Sequence, residues 1–507
     1  MLKNKYIMGL AFAAMFGFSS CVDLDLDPQG SPEAGEVQDE RMAFLRLAAV
    51  YSDMKSFFYT WSMQCFGDVL SEDATYSGSA NDASTFSLME SFLYPADHNE
   101  ILNKYKQSYQ CINKANLFIK DMKSTSDEIF SQYNKEQMIG EAKFIRAYTY
   151  FELVKIFGGV PLYTDVLELT HDRLERATPE QIYAVIEQDL KDAADVLPSK
   201  SEIPDYLAKY AGRITKGAAY AMMTRVYLYE KKYNDVKKVF EENFKSLIPS
   251  EYNLENDYGY VFTLDGEHCK ESILEVNMYT SNLQSGYTTN NGNRHVLMSM
   301  PRNMTNGFGC AQPTQALADA YDALGDTKRK NATLLSKAEA IQIEKEKKGE
   351  NIPEITDDRT GWYNRKMYLE PGVREENWGN NQPTNLRFIR LAEVYLNYAE
   401  ACHFTQDDNT AIEYLNKIRD RAGLDGYPNE EWDAGKDVFE AIMNERHLEF
   451  GMEGFRFFDV VRVGWGEKVF TPGFKSKFGI EKGFVKGAEL LPIPQAEVDI
   501  SNGLIKN

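Results

Sequence analysis

Glu445, Arg446, Glu449, Glu453, Arg456, Asp459 and Arg462 crowd acids and bases into one short stretch. Glu449 and Glu453 stand four apart, which puts two carboxylates on one helical face. Paired carboxylates flanking a groove are the machinery of glycoside hydrolysis. The interleaved arginines argue for another use, because their spacings match each charge with an opposite one. The neighbours Leu448, Phe450, Phe455, Phe457 and Phe458 are core-like side chains. Structural ion-pair networks perturb carboxylates as active sites do. The block is therefore expected to be a set of partly buried ion pairs that hold helices together.

Other chemistries lack their motifs. The six histidines, at 98, 171, 268, 295, 403 and 447, never fall three or four apart, so no HExxH or zinc-ligand spacing exists. Gly307 to Gly309 is not a dinucleotide loop, because Gln312 occupies the third glycine position, and there is neither a Walker loop nor a GxSxG elbow. Asp23, Asp25 and Asp27 have the spacing of a calcium loop, but Pro28 stands where that loop needs glycine and Ala34 where it needs glutamate. Neither a cofactor nor a metal nor catalysis is expected. Cys65, Cys111, Cys269, Cys310 and Cys402 are an odd set without a CxxC pair and read as free, buried thiols.

Ligand chemistry is carried instead by aromatic residues in irregular stretches. Sugars present apolar C–H faces that stack on flat rings, while amides and guanidinium groups satisfy their hydroxyls. The run GYTTNNGNRHVLMSMPRNMTNGF, from Gly286, has that composition. Three aromatic-bearing excursions are available, at about residues 67–98, 250–310 and 349–385. Tyr76, Tyr287, Phe308, Trp362 and Trp378 are the candidate rings, with Asn291 and Arg294 as hydrogen-bonding partners. The expectation is that these excursions converge on one ligand surface.

The elements that must position such a surface read as helices. The run from Asn134 to Asp165 opens with an N-cap asparagine and Gln137 three residues on, and closes at Gly158-Gly159 with Pro161 beyond. Between these ends, Ala142, Ile145, Thr149, Leu153 and Ile156 form one apolar stripe. Phe144, Tyr148, Phe151 and Val154 form a second. A helix apolar on two faces must be covered on both, as in the inner layer of a stacked array. Further helices are expected over residues 39–63 and 99–123. Another starts at Thr178 with proline at the first helical position and a capping-box Gln181, and ends before Pro198. Residues 213–247 and 387–422 each read as two helices joined by a turn, with alanine at close-packing positions, a plan that looks like tetratricopeptide repeats. The fold class is mainly α, with a few short strands such as Ser272 to Tyr279 among long irregular insertions.

The N-terminus is a secretory leader. Lys3 and Lys5 precede an apolar run from Ile7 to Phe18, too short to span a bilayer, and Ser19-Ser20-Cys21 has the lipobox pattern that would make Cys21 the lipidated first residue. A lipid chain would anchor the protein without spanning the membrane. Residues 1–20 are then the leader, 21–38 a polar tether and 39–507 a single domain. Loss of two lysines takes the net charge from −21 to −23, a balance that repels nucleic acid.

The segments YKQSYQCINKAN, EAKFIRAYTYFELVKIFGGVPL, PTQALADAYDALGDTKR, LRFIRLAEVYLNYAEA, NERHLEFGMEGFRFFDVVRVG and LLPIPQAEVDIS resemble, in order, the motifs of the SusD/RagB family of Bacteroidetes. The resemblance implies a tetratricopeptide-like scaffold whose insertions bind a ligand. It also implies a surface lipoprotein, with the aspartates after Cys21 similar to an export signal, that captures an oligosaccharide for a SusC-like TonB-dependent outer-membrane transporter. An oligopeptide ligand, as in the RagB branch, and a glycan-cleaving enzyme are the alternatives.

Overall fold

The computed structural model describes residues 37–77, 86–166, 175–279, 292–302, 307–355, 358–374, 382–430, 433–470 and 483–506. Cys21, the expected leader and most of the tether lie outside them, as do Tyr287, Asn291 and Trp378.

Helices dominate the order of elements: α1 (Glu40–Met54), α2 (Phe57–Gln64), α3 (Asn99–Ser124), α4 (Lys135–Phe157), α5 (Pro179–Val196), α6 (Lys216–Tyr229), α7 (Tyr233–Glu242), α8 (Gln315–Ala323), α9 (Thr327–Thr333), α10 (Lys337–Lys348), α11 (Leu391–Phe404), α12 (Asp408–Ala422), α13 (Val438–Glu449) and α14 (Arg456–Arg462). Shorter helical turns connect them. Helix α4 packs against α1, α3 and α5, α6 against α5 and α7, and α11 against α6, α7, α12 and α13, so the helices form a continuous stacked array.

The interior position expected for α4 is what the structure shows, with residues buried on every face. Its polar side chains are matched accordingly: Arg146 clamps Asp189 at 2.7 and 2.8 Å and reaches Asn116, while Glu141 meets Arg213 and Tyr51. Asn134 caps the helix by accepting from Gln137 N at 3.1 Å. At the other end the two glycines divide the work. Gly158 takes the positive φ, 69°, whereas Gly159 is needed for space, because a Cβ there would lie 2.5 Å from the Ala177 carbonyl oxygen. The capping box at α5 has both arms, Gln181 N to Thr178 Oγ1 and Thr178 N to Gln181 Oε1.

Three sequence expectations need correction. The helix expected over 39–63 is two, α1 and α2, separated at Lys55-Ser56, and α2 runs on into a buried π-helical turn, Cys65–Val69. Residues 67–77 are interior rather than a surface excursion: Gly67, Asp68, Ser71, Asp73, Thr75 and Ser77 are all buried. Their polarity reflects close backbone approach and internal hydrogen bonding, since a Cβ on Gly67 would lie 2.0 Å from the Gly454 carbonyl oxygen. Third, α11 does not begin at residue 387; Leu386–Arg390 is strand.

Six short strands pair two by two among the described residues. β1 (Ala74–Thr75) lies antiparallel to β3 (Gln312–Pro313), β2 (Ser272–Val276) to β6 (Leu386–Arg390), and β4 (Leu334–Ser336) to β5 (Trp362–Asn364). They stitch the insertions to the helical array. No helix among the described residues is long and apolar enough to cross a membrane. Cys65, Cys111, Cys310 and Cys402 are buried free thiols, and Cys269 is half-buried.

Candidate functional site

Helix α13 ends at Glu449, so Glu453 belongs to the turn that follows and the two carboxylates do not share a helical face. They share a cage of cations instead. Arg390, at the end of β6, donates to Glu271 at 2.7 Å, Glu449 at 2.8 Å and both oxygens of Glu453 at 2.8 Å. Arg421 links Glu271 and Glu449, Arg329 links Asp326, Glu445 and Glu449, and Lys366 reaches Glu453 at 2.7 Å. Burial opposes ionisation of Glu449, yet Arg421, Arg390 and Arg329 outweigh it and hold the carboxyl at about 2. Burial likewise opposes ionisation of Glu453, and Arg390 and Lys366 prevail. A general acid needs its pKa raised toward the working pH. This block has the opposite electrostatics, and its geometry is that of internal packing.

The aromatic candidates gather elsewhere, around β1 and β3. Gln312 of β3 is buried and accepts from Arg359 N at 3.0 Å and Thr360 N at 3.4 Å. Trp362, at the start of β5, is half-buried; its Nε1 donates to Gln315 at 3.0 Å, and Lys330 lies 5.4 Å from its ring. Phe308 is half-buried, its N–H bonded to Leu297 O and Arg302 6.0 Å from its ring centroid. Three of the candidates, Tyr76, Phe308 and Trp362, thus lie on segments bonded to or adjoining β3.

Tyr76 differs from the expected stacking ring. It is 3% exposed, Arg359 covers its ring at 5.5 Å, and its carbonyl accepts from Arg359 Nη1. Here it supports the surface from beneath. Arg294 is half-buried and close enough to Glu100 to offset part of the rise that burial gives that carboxyl, which stands at about 7. Sequence reading missed Gln312 and Arg359. Both are single polar residues whose partners lie at least 47 positions away, so no local spacing marks them.

The structure is thus a stacked helical scaffold that carries aromatic-bearing insertions, with a dense charge cluster sealed inside. The SusD family model matches residues 347–507, and a second, described as "Starch-binding associating with outer membrane", matches residues 52–228. The chain belongs to the SusD family. A SusD-like protein of Bacteroides ovatus is 26% identical over 406 residues, covering 76% of this chain and 70% of its own length. A solved structure described as a laminarin-binding SusD-like protein is 27% identical with a TM-score of 0.75, covering 93% of this chain and 99% of that one. Surface glycan-binding protein A from Bacteroides thetaiotaomicron, solved in complex with laminarihexaose, shares the fold at 21% identity and a TM-score of 0.76, over 92% of this chain and 99% of that one.

Proposed function

We propose that this chain is a cell-surface glycan-binding lipoprotein, anchored in the outer membrane through Cys21, that captures an oligosaccharide and delivers it to a SusC-like TonB-dependent transporter without chemistry of its own. The observation that carries the reading is the near full-length likeness to a laminarin-binding relative at 27% identity. The half-buried rings of Phe308 and Trp362, on segments that adjoin β3, support a stacking surface of the right chemistry. Phe308 and Trp362 would stack on sugar faces together with Tyr287 and Trp378, while Asn291 and Arg294 would bond hydroxyls and Tyr76 would brace the surface from below. The arginine cage around Glu449 and Glu453 leaves that pair unsuited to acid catalysis.

Calorimetry against laminarin, starch and a mixed peptide pool tests this. A glycan should bind, and Trp362→Ala should weaken it about five- to a hundredfold, because losing a stacked ring costs roughly 1 to 3 kcal/mol. Binding of peptides with silence toward every glycan would favour the oligopeptide alternative. Shortened oligosaccharides in the incubated mixture would favour an enzyme.

A further inference from the structure

The turn that ends at β1 brings a second set of carboxylates against α13, and this set is not caged. Asp73 is fully buried; its Oδ1 lies 2.5 Å from His447 Nε2, and its Oδ2 accepts no hydrogen bond. Glu72 accepts from Arg456 Nε and Nη2 through Oε1 alone, at 2.8 and 2.6 Å, and its buried Oε2 has no partner. Asp68, also fully buried, takes the Gly454 N–H on Oδ1 at 2.9 Å and leaves Oδ2 without one. One donor atom from each of Glu72, Asp73 and His447 lies within 4.8 Å of the others. A buried carboxylate oxygen without a partner is costly, and the two on Glu72 and Asp73 ask for a cation.

We propose that Glu72, Asp73 and His447 form a binding site for a divalent transition-metal cation, with zinc as the preferred ion. One imidazole and two carboxylates are a zinc donor set that leaves a fourth position for water. Tetrahedral donors bound at about 2.0 to 2.2 Å lie about 3.3 to 3.6 Å apart, so the three groups, now within 4.8 Å of one another, close by up to about an ångström and a half when the ion binds. Arg456 stays on Glu72 Oε1 and orients Oε2 toward the ion, as outer-shell partners of metal ligands do. The ion replaces the contact between His447 Nε2 and Asp73: imidazole gives its lone pair to the metal, and Asp73 turns its free oxygen inward. Glu72 and His447 keep 13% and 11% of their side-chain surface exposed, which provides the way in. The site would tie α13 to the segment that runs through β1 to Tyr76, and so would stiffen the base of the aromatic surface.

The test is titration of the EDTA-stripped, purified protein with zinc chloride. One ion per chain should bind, the melting temperature should rise, and cobalt should give visible d–d bands without a thiolate charge-transfer band. His447→Gln and Asp73→Asn should each weaken zinc by at least about tenfold, the loss that even an outer-shell change brings. His403→Gln, altering the pair between His403 of α11 and Asp408 of α12, should change nothing. Anomalous scattering at the zinc edge from a wild-type crystal locates the ion whether or not the variants fold. Zinc uptake unaltered by His447→Gln, a sulfur charge-transfer band, an ion located elsewhere, or no uptake by folded wild-type protein would each overturn the proposal.

Discussion

Two carboxylate clusters meet helix α13 from different sides, and they are built on opposite terms. Around Glu449 and Glu453 the carboxylates accept from Arg390, Arg421, Arg329 or Lys366, and those cations keep both groups ionised, although Glu449 is fully buried and Glu453 nearly so. Around Asp73 there are three acids, one guanidinium and one imidazole, and each acid keeps an oxygen without a partner. Equal burial therefore has different meanings. A matched cluster spends its charge on holding elements together, whereas an unmatched one retains the capacity to bind something.

The comparison breaks most visibly at Arg390. Arg390→Ala leaves Glu271, Glu449 and Glu453 buried without their shared cation, and stability should fall by about 3 to 5 kcal/mol in urea unfolding. A loss below about 1 kcal/mol would mean that the cage is redundant.

Glu100 is the intermediate case, with one free buried oxygen and only Arg294 opposing the effect of burial. Its carboxyl stands at about 7 in the folded protein against 4.5 in the unfolded chain, so the folded state binds the extra proton between those values. Stability must then decline as pH rises from about 4.5 to about 7, by roughly 3 kcal/mol from this group. Glu100→Gln should flatten that part of the curve, and an unchanged slope would assign the decline to other groups.

The smallest effect belongs to Asp68. Burial, with Asp73 beside it, pushes its carboxyl well above the usual carboxylate range, which favours the neutral form. Asp68→Asn preserves an acceptor for the Gly454 N–H and should change stability by less than about 1 kcal/mol at neutral pH. A large loss would show that the group is ionised and paired more strongly than its surroundings indicate.

Local signals in the chain specified the scaffold. The N-cap asparagine, the double apolar stripe and the glycine pair of α4 delimit a buried helix because capping and periodicity act over a few residues. Charged residues set among core-like side chains from Glu445 to Arg462 likewise announced packing. The expected pairing inside the block holds at Asp459 with Arg446 and Arg462, whereas Glu445, Glu449 and Glu453 take their cations from Arg329, Arg390, Arg421 and Lys366 elsewhere in the chain. Tertiary structure alone decided the rest. Nothing near Tyr76 reveals that Arg359, 283 positions away, covers its ring, or that Gln312 gathers the insertions. Gly158 and Gly159 look equivalent in sequence, and only the Ala177 carbonyl separates their roles. Histidine spacing argued against a metal, yet His447 meets Asp73 across 374 positions. Ligand sets of that kind are assembled by the packing of helices, whose long-range contacts leave no period in the chain.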